Sequence, residues 1–162
     1  MLVRVLASLI FLVLLWWLFR LALGLRQAKL DREGARAAEE ARGRRVVVEL
    51  PPRGSETLLL LEDGPSFCWG SETVDKADIA GARLLVNGGV IQEFASGTAR
   101  LPPLDPPPEF EGGEVWEVVV YRRSGGRARI PCGALREGVS REIAGRAFAA
   151  IRAAALKDVN AP

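Results

Sequence analysis

The sequence predicts an α+β protein: an N-terminal transmembrane helix, then about six or seven short strands with hairpin turns, then a C-terminal amphipathic helix. Three observations carry this. Residues 2–25 are apolar or small apart from two arginines. Residues 45–132 break into short β-branched runs punctuated by Gly-Gly and Pro. Residues 140–156 are Ala-rich, with an apolar stripe at helical spacing. The expected organisation is an anchor at 1–25, a charged juxtamembrane helix or linker at 26–44, a β-rich domain with its helix at 45–157, and a tail at 158–162.

The anchor follows from length. A helix of ~24 residues is about 36 Å long, enough for a ~30 Å hydrocarbon core. Arg4 and Arg20 lie near its ends, where long side chains reach the headgroups. Trp16 and Trp17 precede Arg20 by one turn and suit the aromatic belt, and Arg26 extends the basic flank. The rival reading is a cleaved signal peptide with Ala22-Leu23-Gly24 as a loose cleavage site. Against it, tryptophans and Arg20 occupy what should be a small, neutral region, and the basic residues follow the apolar run instead of preceding it. Arg26, Lys29, Arg32, Arg36, Arg42, Arg44 and Arg45 all come after the helix, which predicts a cytoplasmic C-terminal domain. With 19 Arg against 3 Lys, the chain reads as GC-rich bacterial coding and the membrane as the bacterial inner membrane.

Residues 26–43 hold helix formers and mixed charges with no proline, which predicts an exposed spacer helix. Its apolar positions do not sustain heptads, so a stable coiled coil is not expected. Weak pairing leaves a homo-oligomer open.

Composition also excludes chemistry. There is no histidine, which removes the commonest general base and imidazole ligands. Residues 44–162 carry fifteen Lys/Arg against sixteen Asp/Glu, so no basic footprint for nucleic acid exists. Glu62, Asp63, Glu72, Asp75 and Asp78 lack the spacing of a calcium loop. The glycine pairs belong to turns with no helix behind them to cradle phosphate. No cofactor is expected. Cys68 and Cys132 cannot make a four-thiolate zinc site, and in the cytoplasm they would be reduced.

In the domain, Val46–Leu50 predicts a strand ended by Pro51-Pro52. Thr57–Glu62 and Ser66–Trp69 follow. Leu84–Asn87 and Val90–Phe94 flank Asn87-Gly88-Gly89, a hairpin signal because primed turns need positive φ. Val115–Arg122 and Arg127–Cys132 flank Ser124-Gly125-Gly126, a second hairpin. Trp116, Val118 and Val120 share one face, as do Ala128, Ile130 and Cys132. Ser140 is the expected N-cap of the last helix, whose stripe is Ile143, Ala147, Phe148, Ile151 and Ala154.

The TLLLLEDG strand, the Val74–Ala82 segment containing ADI, and the WEVVVYRRSGGRARIPCG hairpin leading into a helix carry a resemblance. Across residues 45–157 the pattern resembles a pleckstrin-homology-like domain of a bacterial membrane-anchored protein. That resemblance implies two antiparallel sheets in a bent barrel, with a C-terminal helix plugging one end. An unrelated α+β sheet packed on one helix is the alternative.

Two segments are candidate surfaces. Arg122, Arg123, Arg127 and Arg129 surround the last hairpin turn and suit an acidic partner or lipid, or else a salt-bridged surface. The loop 101–113, with Pro103, Pro106 and Phe110, is either a stiff connection or a docking segment. The function expected is a non-enzymatic, membrane-tethered binding or scaffolding module with a protein partner at the membrane. The alternative is an accessory structural subunit of a larger membrane assembly.

Overall fold

The computed structural model describes residues 2–53, 56–104, 113–133 and 137–159. It has two compact units, residues 1–38 and 39–162.

The first unit is helical. Helix α1 spans Leu2–Ala41 without a break, so the expected anchor and juxtamembrane helix are one element. Leucine, alanine and the charged helix formers sustain it, and no proline interrupts it. It is long and apolar enough to cross a membrane. Gly43 stops it. Its φ of 79° lets Gly43 N–H donate to Glu40 O at 3.0 Å and Arg44 N–H to Glu39 O at 3.1 Å, the paired bonds of a Schellman cap.

The second unit holds eight strands in two antiparallel sheets. The first sheet is a meander of β1 (Arg45–Arg53), β2 (Glu56–Glu62), β3 (Ser66–Trp69) and β4 (Glu72–Asp75). A 3-10 turn, Lys76–Asp78, leads to β5 (Ile79–Val86), β6 (Gly89–Ala95), β7 (Trp116–Arg122) and β8 (Arg127–Gly133). These form the second sheet in the order β6-β5-β7-β8. Helix α2 (Glu137–Val159) packs against β1, β5, β7, β8 and the 3-10 turn.

Both expected hairpins form. Val86 pairs with Gly89 across Asn87 (φ 49°) and Gly88 (φ 80°), and Tyr121 pairs with Arg127 across a turn with Gly125 and Gly126 at positive φ. Four expectations need correction. Strand β1 runs through Pro51-Pro52. It is an edge strand, and its pairing with β2 is irregular between Leu50 and Arg53, where a missing N–H is tolerated. Strand β5 begins at Ile79 rather than Leu84, because the weak Ile-Ala-Gly-Ala stretch is held by pairing to β7. Ser140 is fully buried inside α2 instead of capping it. The described strands do not close into one barrel; each sheet keeps its own ladder.

The main core lies between the sheets and α2. Trp116, Val118, Val120, Ala128, Ile130 and Cys132 meet Ala144, Ala147, Phe148 and Ile151, as the alternation predicts. Phe94 stacks edge-to-face on Phe148, with ring centroids 5.6 Å apart. Each large side chain buried here contributes roughly 1.5–3 kcal/mol. The second sheet is also covered on its other face. There Ala80, Leu85, Val119 and Tyr121 pack under Ala99, Leu101 and Leu104, so the start of the Pro-rich segment is a strap.

Candidate binding surfaces

The four arginines of the last hairpin separate. Asp78 clamps the turn: its carboxylate accepts Ser124 N–H at 2.8 Å and the Ser124 hydroxyl at 2.6 Å, and Arg123 N–H donates to Asp78 O. These Ser124 bonds hold the Asp78 carboxyl below the usual carboxylate range. Arg123 donates to Ile79 O and to the buried Ser96 hydroxyl. Arg122 donates to Glu72 and to Thr73 O. Both therefore bridge strands. Arg127 and Arg129 alternate with buried Ala128 and Ile130, and they are exposed.

Arg127 and Arg129 line an open cleft of about 990 Å³ with Pro51, Pro52, Leu58 and Pro131. Its aromatic wall is Trp69, buried, with its indole N–H donating to Arg129 O at 3.0 Å across the two sheets. Glu72 and Glu117 also line it, and Glu117 meets Arg129 at 3.5 Å, so the cleft carries no net charge among these four groups.

A second groove, of about 620 Å³, lies between α2 and the first sheet. Its floor is Val47, Ala149, Ala150, Ala153 and Ala154, and its rim holds Arg45, Arg146 and Lys157. Lys76 and Glu62 meet there at 2.9 Å. Lys76 also donates to Asp63 O and Gly64 O, each at 2.9 Å, so its three protons fasten the β2–β3 turn.

Arg20 sits over the Trp16 ring at 5.4 Å, and Trp17 is exposed, as is Arg26. The Arg4 side chain lies outside the described ones, as do Pro106 and Phe110; Pro103 is exposed. Cys132 is buried, and burial pushes its thiol up to about 12. Cys68 is half-buried, with Ser66 and Thr73 hydroxyls at 3.7 Å. Among the described residues, no group of three metal-binding side chains gathers.

Sequence reasoning missed Arg83. Its Nε donates to Glu93 at 2.9 Å, and its Nη1 donates to Pro102 O at 2.6 Å and to the Tyr121 hydroxyl at 3.1 Å. The guanidinium also lies 5.2 Å over the Tyr121 ring. The signal was present: Val119 and Tyr121 are apolar on the face opposite Val118 and Val120, which marks a strand covered on both sides.

Comparison of the chain with protein-family models, with curated proteins and with solved structures returns no match.

Proposed function

We propose that this chain is a single-pass, membrane-tethered, non-enzymatic binding module at a bacterial inner membrane, with its domain on the cytoplasmic side. The observation that carries the reading is in α1. Every residue from Ile10 to Leu25 is exposed, on all faces of the helix, so a bilayer is the solvent this run suits. The same helix continues for about four turns past Leu25 as a charged spacer. Basic residues crowd that side, which supports the cytoplasmic orientation. The globular unit offers open grooves, while Lys76, Asp78, Arg122 and Arg123 are committed to joining strands. The Cys132 thiol is held far from thiolate chemistry. The pleckstrin-homology-like reading of the fold draws support from α2, which packs against strands of both sheets.

The test is a Pro103→Cys variant in a Cys68→Ser background, expressed in bacterial cells. A membrane-impermeant maleimide should label it only after lysis, and the protein should stay in the membrane pellet through alkaline carbonate. Labelling in intact cells overturns the orientation. Release by carbonate overturns the anchor.

A further inference from the structure

We propose that strand β6 is an interface between two copies of this chain, pairing antiparallel with its counterpart about a two-fold axis at Gln92. The inference deepens the binding-module reading and rests on its tether.

Four strands end the two sheets, and three of them are guarded. Strand β1 carries Pro51-Pro52, where its ladder is irregular. Strand β4 is four residues long, with Glu72 and Asp75 at its ends. Strand β8 carries Pro131 and the exposed Arg127 and Arg129. Short length, proline and charge are devices that keep an edge from pairing with another chain. Strand β6 is seven residues long, has no proline or basic residue, and among the described residues ladders only with β5. Its one charge, Glu93, is already met by Arg83 at 2.9 Å. Val90 and Ile91 are 43% and 57% exposed, and among the described strands no other large apolar side chain is exposed. A bulge leaves Ile91 without a partner on β5, while Gln92 to Ala95 pair regularly.

The ladder shows which backbone groups this edge offers. Ser96 N–H donates to Ala80 O at 2.7 Å, and Phe94 and Gln92 stand opposite Ala82 and Leu84 in the same register. Bonded and non-bonded pairs alternate along an antiparallel ladder. Phe94 and Gln92 therefore bond to β5, and Glu93 and Ala95 turn N–H and C=O outward.

A second copy fits this edge in one register. An axis at Gln92 sets Glu93 opposite Ile91 of the second copy and Ala95 opposite Gly89 of the second copy. The strand then pairs along its whole length and covers both exposed apolar residues. An axis at Glu93 sets like charges opposite each other. An axis at Phe94 leaves Val90 and Ile91 outside. An axis between two residues sets outward groups against inward ones. Two-fold pairing also consumes both edges, so assembly stops at a dimer. A strip about 23 Å long and one strand wide buries less than the ~1,200 Å² of a stable complex. The anchor supplies the difference, because copies held by α1 in one bilayer meet at a raised effective concentration.

The test is disulfide trapping of the full chain in bacterial membranes, in a Cys68→Ser background, with copper phenanthroline as oxidant. Gln92→Cys meets its counterpart across a non-hydrogen-bonded pair, with Cα atoms about 4.5 Å apart and within disulfide reach. It should form a dimer about ten-fold faster, or more, than Val90→Cys or Ser71→Cys, read on non-reducing gels. In this register the two Val90 positions lie about 13 Å apart along the strand. Ser71 lies in an exposed turn of the other sheet. Adding Ala95→Pro to Gln92→Cys should slow dimer formation about ten-fold. The Ala95 N–H faces outward, so this proline removes no bond to β5. Denaturation in detergent micelles checks that the variant is folded; if it is not, the Gln92 and Val90 comparison decides alone. Equal rates at Gln92, Val90 and Ser71 indicate random encounter and overturn the proposal, as does an unchanged rate in folded Ala95→Pro. A cross-linked band of a mass other than twice the chain assigns the edge to a different protein and also overturns it. Retention in the membrane through alkaline carbonate with no dimer overturns the pairing and leaves the tether standing. Release by carbonate overturns the tether, and the pairing with it.

Discussion

Replacing Arg83 with Met should unfasten the strap from the second sheet. The guanidinium makes three hydrogen bonds, to Glu93, Pro102 O and Tyr121. Their losses are unequal. The Glu93 side chain is 55% exposed and returns to water, so that ion pair is worth at most about 1 kcal/mol. Pro102 is exposed, so its carbonyl also finds water. The Tyr121 hydroxyl belongs to a side chain only 3% exposed, and leaving it unpaired costs about 1–3 kcal/mol. Methionine keeps most of the apolar stem, so little packing is lost. The sum is about 1–4 kcal/mol, a fall in Tm of roughly 10 °C at the middle of that range for a unit of this size. Denaturation of the full chain in detergent micelles measures it. Limited proteolysis should find the segment around Leu101 cut faster in the variant. A stability change below about 1 kcal/mol, with the strap cut at the wild-type rate, would refute the reasoning.

Further outcomes are open to measurement. Lys76→Met should destabilise the β2–β3 turn by about 2–3 kcal/mol, because a charged donor with three acceptors is lost; chemical denaturation checks it. Gly81→Ala places a Cβ 2.3 Å from Phe94 O and 3.0 Å from Ala95 Cα, both backbone, so β5 and β6 must part, at a cost of about 2 kcal/mol or more in the same assay. Asp63 and Asp78 both have carboxyls lowered by serine hydrogen bonds, from Ser66 and Ser124. Their stabilisation is fully present above the unfolded value of about 3.9 and is lost as pH falls through the lower folded values. Asp78→Asn should therefore flatten the acid limb of a stability–pH curve. A maleimide applied to the native chain should modify Cys68 and spare Cys132, as peptide mass mapping would show.

Legibility followed how local the cause was. Asn87-Gly88 and Gly125-Gly126 announced their hairpins because the turn needs positive φ at those positions. Trp116, Val118 and Val120 announced a buried face by alternation, and the α2 stripe announced its core side. The rest was set by partners distant in sequence. Ile79–Arg83 has little strand character of its own and is extended because β7 pairs with it, some forty residues on. Strand β4 (Glu72–Asp75) is short and polar, and exists because β3 pairs with it. The prolines in β1 read as a terminator because nothing in the sequence says that β1 is an edge. The arginines were visible as a cluster, but their fates were decided by Thr73, Ile79 and Ser96, which the fold brings in. The groove at α2 was hidden for another reason: Ala149 and Ala153 look the same whether they face core, solvent or a ligand.

The surplus of arginine over lysine acquires a structural meaning from these contacts. Arg83 joins β5, β6, β7 and the strap; Arg122 ties β7 to β4; Arg123, in the turn just after β7, reaches β5 and Ser96. Each uses several donors of one rigid fork on acceptors from different elements, which an ammonium on a flexible stem matches poorly. Lys76 is the exception that fits the rule, since its acceptors, Glu62, Asp63 O and Gly64 O, cluster around a single turn and suit a compact point charge. Arg45 and Arg146 differ from these staples: each is exposed and meets a single carboxylate on the surface. Guanidinium groups that hold the fold are thus distinct from exposed ones with a single carboxylate partner, which line both open surfaces: Arg45 and Arg146 the groove along α2, and Arg129 the cleft at Trp69.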